Sequence, residues 1–184
     1  MKGKIEEMLV ELIDKKVADI AADYEIIFIV NKDLGHRFVD DFAEFDFYSY
    51  KGDKILNLPS KRKIYVGIKD LNPNSLRNAS ASALNAIKEL NITSAKIASY
   101  SGDCTKISFQ AIAEGFLLAN YKFDRYKSEK KDIKIEKIII STEDYNSKKI
   151  AIDEAQIGLN HAHIISEATN FVRDIVNETP EIYT

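Results

Sequence analysis

Three histidines, one cysteine, one glycine-bearing turn and one basic stretch are where this chain could hold chemistry, and spacing decides how each reads. His161 and His163 stand two apart and look like a chelate in print. On a helix each residue turns about 100°, so side chains two apart diverge by about 200°. Helical metal pairs sit instead at i,i+3 or i,i+4. His161 falls in line with Ala168 and Ile175, near an apolar stripe, and His163 is expected to face away from it. His36, beside Gly35, reads as a loop residue. All three are expected to be packing or surface residues.

Cys104 follows Gly102-Asp103 at an expected helix N-terminus, where the helix dipole can favour a thiolate. Asp103 opposes that effect and no histidine lies nearby in sequence, so a structural cysteine is expected. The turn Ser99-Tyr100-Ser101-Gly102-Asp103 could offer backbone N–H groups to an anion. The chain has only seven glycines, with neither G-x-G-x-x-G nor G-x-x-x-x-G-K-[ST], so no phosphate motif supports that use. Residues 122–131 mix Lys122, Arg125, Lys127, Lys130 and Lys131 with Phe123 and Tyr126, as nucleic-acid sites do. Asp124, Glu129 and Asp132 dilute that charge, and a solvated loop is the expectation. Asp40-Asp41 and Glu6-Glu7 read as surface charge, and no carboxylate pair stands out as an acid/base couple.

The elements that would position these residues alternate between short β-like runs and longer helical ones. Strands are expected at 8–13, 25–30, 63–68, 95–100 and 133–141, with a hairpin of 45–50 and 54–58 around Gly52-Asp53. A helical alternative stays open at 8–13. Gly67 inside its strand suggests a bulge or the close approach of another backbone. Asn72-Pro73 opens a helix, Pro being tolerated in the first turn. Its inner face is Leu76, Ala79, Ala83, Ile87 and Leu90, and Asn91 suits its stop. A second helix, about 105–121, is apolar nearly all round and so expected to be well buried. A third is expected over 146–176, with Ile150, Ile157, Ile164 and Phe171 seven apart. It would be about 45 Å long, more than a small domain uses, and the excess is expected to lie against a second domain or subunit. The alternative is a break at Gly158.

The order favours a layered α/β fold. A chain of 184 residues, 45% hydrophobic and 30% charged, suits one domain, or one domain plus a linker helix. A net charge of -3 gives no global drive toward nucleic acid or an anionic membrane. One cysteine excludes an internal disulfide, and no apolar run has signal-peptide or membrane-span length. A cytoplasmic location is expected.

Two segments carry a family resemblance. The run from Ala113-Glu114-Gly115 through Tyr121-Lys122-Phe123-Asp124-Arg125-Tyr126-Lys127-Ser128 is similar to a helix of the leucine (cytosol) aminopeptidases that reads A-E-G and then Y-x-F-D-x-Y-K-S. Asn170-Phe171-Val172-Arg173-Asp174-Ile175-Val176-Asn177 resembles their N-x-x-R-D-L-V-N, with Thr179 and Glu181 departing from the P-P-N that follows. The resemblance implies a macro-domain-like α/β domain of three layers with a mixed, mostly buried sheet, spanning 1–145. Residues 146–184 would be the long linker helix and the start of a catalytic domain.

The same resemblance implies a metal-dependent exopeptidase parent that removes N-terminal residues from peptides with two divalent ions, Mn2+ or Zn2+. It further implies a homohexamer, with this domain bound to its own C-terminal catalytic domain. The family's metal ligands come from a later region that includes N-T-D-A-E-G-R-L. Here Ala113-Glu114-Gly115 follows Gln110-Ala111-Ile112 and precedes Phe116, without the arginine. No catalytic, cofactor-binding or metal residue is therefore assigned in this chain, and its expected role is assembly or regulation. A helical pattern that runs into Val176 and meets a turn signal at 177–180, with no further element after Pro180, is read as the front part of a longer protein. The alternatives are a stand-alone macro-type module for ADP-ribose or another nucleotide, and a nucleic-acid-binding domain.

Overall fold

A computed structural model describes residues 8–30, 38, 55–126 and 135–178. Six strands form one sheet: β1 (Leu9–Ile13), β2 (Tyr24–Val30), β3 (Ile55–Leu58), β4 (Lys63–Ile68), β5 (Ser94–Ser99) and β6 (Lys137–Asp144). Their order is β1-β6-β5-β2-β4-β3, parallel throughout except that β3 runs antiparallel to β4. The parallel strands explain why 25–30 reads as an unbroken apolar run, because both faces are covered. Ile26, Phe28 and Val30 join the main core, and Ile27 and Ile29 form a second cluster with Tyr65 on the other face.

Of the expected hairpin, residues 45–50 lie outside the described residues, and the other arm is β3, which pairs with β4. Pairing runs unbroken through Gly67, opposite Ile29, so no bulge forms there. The irregularity falls between β5 and β6, where β5 advances from Ile97 to Ser99 while β6 advances from Ile140 to Asp144. That slip carries the Asp144 carboxylate to the end of β5.

Three helices follow: α1 (Pro73–Ile87), α2 (Thr105–Ala119) and α3 (Ile152–Asn177). The Asn72 side chain caps α1 by accepting from the Ser75 N–H at 2.9 Å, and Pro73 fills the first helical position. Leu76, Ala79, Ala83, Leu84 and Ile87 form its buried face, and the helix closes before Leu90. From α2, Phe109, Ile112 and Phe116 enter the same core without exposure, each burial contributing about 1.5–3 kcal/mol.

The expected three layers are met differently on the two faces. Residues of all three helices share the core cluster of one face. On the other, Lys96 from β5 donates to the carbonyls of Val17 and Ile20 at 2.8 and 3.1 Å, so connecting chain covers that part of the sheet. The Asp23 carboxylate pins the same connection by accepting from the Thr93 N–H and hydroxyl at 2.8 and 2.9 Å and from the Ser94 N–H at 3.1 Å. Those bonds hold its pKa below the usual value. No helix among the described residues is long and apolar enough to cross a membrane.

Candidate functional site

The turn after β5 was the candidate anion site, and two of its N–H groups are already used. The Gly102 N–H donates to Ser108 Oγ at 3.0 Å. The Ser101 N–H points to Asp144 Oδ2 at 3.4 Å, and Asp144, 1% exposed, also accepts from the N–H groups of Asn146 and Lys148. A buried carboxylate from the chain thus stands where an anionic ligand would have to stand, and like charges repel. Gly102 is there for closeness: a Cβ on it would lie 2.7 Å from the Leu71 carbonyl. Below it Tyr100 is fully buried between Phe28 and Tyr145, each ring 5.0 Å away, and its oxygen accepts from the Phe28 N–H. Burial drives the Tyr100 phenol well above its ordinary pKa. Cys104 occupies the N-cap position of α2, where its carbonyl accepts from Ser108.

Ala113-Glu114-Gly115 has a packing role. Glu114 is 5% exposed, paired with Arg77 of α1 at 2.6 Å and bonded to Gln110 at 2.8 Å. A Cβ on Gly115 would meet the Arg77 carbonyl at 2.3 Å, so the glycine is what lets α1 and α2 close.

In the described part of the basic stretch both cations are paired. Lys122 pairs with Asp124 at 3.1 Å, while Arg125 and Tyr126 both reach Glu178 just beyond α3. Lys127, Lys130 and Lys131 lie outside the described residues. Glu178 belongs to a clasp that joins the two motif-bearing segments. Arg173 donates to the Leu118 carbonyl at 3.0 Å and lies 5.3 Å from the Tyr121 ring centroid, in cation–π range. The Tyr121 hydroxyl donates to Asp174 at 2.9 Å and accepts from Asn177 at 3.4 Å. Partial burial, with the Asp174 carboxylate alongside, raises the Tyr121 pKa. The shared motifs are therefore two halves of one contact between the end of α2 and the end of α3. Sequence reading treated them as separate segments.

Helix α3 departs most from expectation. It starts at Ile152, six residues later than expected, and runs through Gly158 without a break for roughly 39 Å. Its buried face is Ala155, Gly158, Leu159, Ala162 and Ser166, a ridge of mostly small residues against α2. A Cβ on Gly158 would come within 2.2 Å of the Lys106 carbonyl. The larger residues of the seven-residue stripe therefore turn outward, with Ile157 45%, Ile164 65% and Phe171 65% exposed. His163, expected to face away, turns inward, its Nε2 3.1 Å from the Val10 carbonyl of β1. Backbone proximity, which small residues permit, outweighed side-chain size in choosing the inner face. His161 and His163 join no metal-competent group: among the described residues no cluster of three or more His, Cys, Asp or Glu could hold an ion. His36 lies outside the described residues.

Between the end of α2, the start of β1 and α3 lies a cleft of about 190 Å³, lined by Met8, Asn120, Tyr121, His163, Ser166 and Asp174 among others. Ser166 is 2% exposed, yet its Oγ has no hydrogen-bond partner, and neither has Asn120 Oδ1. Sequence reading passed over both. The available signal was a polar residue continuing the small-residue ridge of α3. A second cavity, of about 180 Å³, lies by Gly67 and Lys69. Its Ser75 hydroxyl is already given to Asp70 and its N–H to Asn72, and the Ser75 hydroxyl, helped by the Asn72 N–H, holds the Asp70 pKa low.

A family model for the cytosol aminopeptidase family, N-terminal domain, matches residues 56–130. The chain is 45% identical over 177 residues to a probable cytosol aminopeptidase of Campylobacter jejuni subsp. jejuni, covering 96% of this chain and 36% of that protein. It is 32% identical over 165 residues to a probable cytosol aminopeptidase of Wolinella succinogenes, covering 89% and 34%. The chain thus spans about a third of the length of these curated relatives. Among solved structures, a mutant tomato leucine aminopeptidase superposes with a TM-score of 0.75 at 18% identity, covering 99% of this chain and 40% of that one. The bottromycin maturation enzyme BotP, solved also in complex with Mn, superposes with TM-scores of 0.60 and 0.58 at 18% identity, covering 89% of this chain and 34% of that one. At that identity the likeness concerns the fold.

Proposed function

The chain belongs to the cytosol aminopeptidase family, as its N-terminal domain, and from that premise we propose that it is a non-catalytic part which steadies and positions a catalytic part. Residues 1–145 form the α/β body in this reading, and 146–184 form the linker helix and the entry to the catalytic domain. The exposed large residues of α3, Ile157, Ile164, Phe171, Val172 and Ile175, are the surface against which that domain packs. The observation that carries the reading is the clasp. Arg173 and Asp174 fix the far end of α3 to Leu118 and Tyr121, which sets the direction in which the helix leaves the body.

The parent's reaction is the removal of N-terminal residues from peptides, using two divalent ions, Mn2+ or Zn2+. Such ions need several converging carboxylates, and the described residues of this chain do not fit such a centre. The metal chemistry is accordingly assigned to the rest of the protein. A homohexamer and a cytoplasmic location belong to the same reading. A stand-alone nucleotide-binding module is disfavoured by the Asp144 carboxylate at the strand ends. Nucleic-acid binding is disfavoured by the internal pairing of Lys122 and Arg125.

The test is direct. The 184-residue chain, incubated with Mn2+ or Zn2+, is assayed with leucyl-p-nitroanilide, and no release of p-nitroaniline is expected. Turnover that follows the protein through purification would overturn the non-catalytic assignment.

A further inference from the structure

We propose that the cleft between the end of α2 and α3 is a binding site for a primary ammonium group, received by Asn120 Oδ1, Ser166 Oγ and the carboxylates of Glu167 and Asp174. All four residues line the cavity. Two of the receiving atoms are buried and have no partner in the protein, which is uncommon, since buried polar groups nearly always find one. Four of the donors near them are committed elsewhere. The Tyr121 hydroxyl is given to Asp174, His163 Nε2 to the Val10 carbonyl, and Lys122 to Asp124. Arg173 is held by Leu118 and Asn170.

The cleft therefore presents acceptors and negative charge. An anion would meet the repulsion of the Glu167 and Asp174 carboxylates. An apolar ligand would leave Ser166 and Asn120 unsatisfied, at the cost of burying them unpaired. An alkylammonium brings three donors and one positive charge, matching what is free. At about 190 Å³ the cavity has room for the ammonium and a short carbon stem. The site stands on this geometry alone, independent of the assembly role.

Two sources share this chemistry: the α-ammonium of an aminoacyl or peptide ligand, and a diamine. Titration of the full 184-residue chain, followed by two-dimensional amide NMR, separates them with L-leucinamide and putrescine as probes. N-acetyl-leucinamide, which lacks the charge, and acetate serve as controls. Expected are saturable shifts at Asn120, Ser166 and Asn170 with a Kd of about 1 mM or tighter for at least one amine, and none for the controls. The tighter of the two amines identifies the source. Glu167→Gln, a substitution on an exposed residue, should weaken binding about tenfold, as loss of one charge-assisted contact does. Ser166→Ala should weaken it as well. Amide positions in β2 and β5 report whether each variant stays folded. The proposal is overturned if neither amine shifts these resonances, if N-acetyl-leucinamide shifts them equally, if acetate binds in place of the amines, or if both folded variants bind as the parent does.

Discussion

The two halves of α3 are fastened by different physics. Its first half lies against α2 along Ala155, Gly158, Leu159 and Ala162, all buried, where backbones approach to within side-chain-free distance. Its second half touches the body through Arg173, Asp174 and Asn177 on Leu118 and Tyr121, a set of directional bonds around partly exposed groups. Close packing removes apolar surface from water and tolerates little change in volume. Directional bonds contribute less net free energy but fix an angle. One end of the helix is thus attached for stability and the other for aim.

The largest expected effect falls on the packed half. Gly158→Ala adds a methyl group 2.2 Å from the Lys106 carbonyl and 3.1 Å from the Gln110 nitrogen, both backbone atoms that cannot swing aside. Alanine would gain about 1 kcal/mol in an exposed helix. Here the clash should win, leaving a net loss of about 1–3 kcal/mol. Urea denaturation followed by circular dichroism measures it. Stability equal to or above the parent's would mean that α2 and α3 separate easily, and the contrast between the halves would fail.

Arg173→Ala should act on the second half alone. The variant removes the bond to Leu118 and the cation over Tyr121, at an expected global cost of about 1 kcal/mol. The more telling readout is amide hydrogen exchange, which resolves local opening from global unfolding. Amides of 170–177 should exchange markedly faster while those of 155–166 keep their protection. Uniform acceleration along the helix would show that the clasp and the ridge open together.

This contrast also marks what could be read before the fold was known. The parallel strands were legible because a continuous run such as 25–30 has few other homes, and α1 because Asn72-Pro73 and its apolar spacing agree. The inner face of α3 was not. Periodicity weighs side chains by hydrophobicity, and Ile157, Ile164 and Phe171 outweigh Ala155, Gly158 and Ala162 on that scale. What selected the ridge was the absence of bulk, together with Lys106 and Gln110 on a helix that ends more than thirty residues earlier. That partner is invisible to a local window, and His163 was misplaced for the same reason. The cleft was illegible for a related one. Asn120 and Ser166 are ordinary residues in isolation, and they become unusual only when burial is known and their partners are found missing.

The smallest effect on stability, and the sharpest on the role of the second half, should come from Phe171→Glu. Phe171 is 65% exposed, so the folded chain loses little packing, and surface changes of this kind usually stay within about 0.5 kcal/mol. Its neighbours on the same outer surface are Ile164, Val172 and Ile175, which makes the patch apolar over several turns. A patch kept apolar to receive another domain should bind a hydrophobic dye in the isolated chain and favour weak self-association. A carboxylate at its centre should suppress both, with the urea midpoint almost unmoved. Fluorescence of anilinonaphthalene sulfonate and sedimentation velocity on both forms provide the readings. Dye binding unchanged by Phe171→Glu would place the apolar surface elsewhere, and the outer face of α3 would then have no claim as a docking surface. Lost dye binding at constant stability would separate the two halves functionally, since a change that costs the fold almost nothing would have removed what the second half is held in place to present.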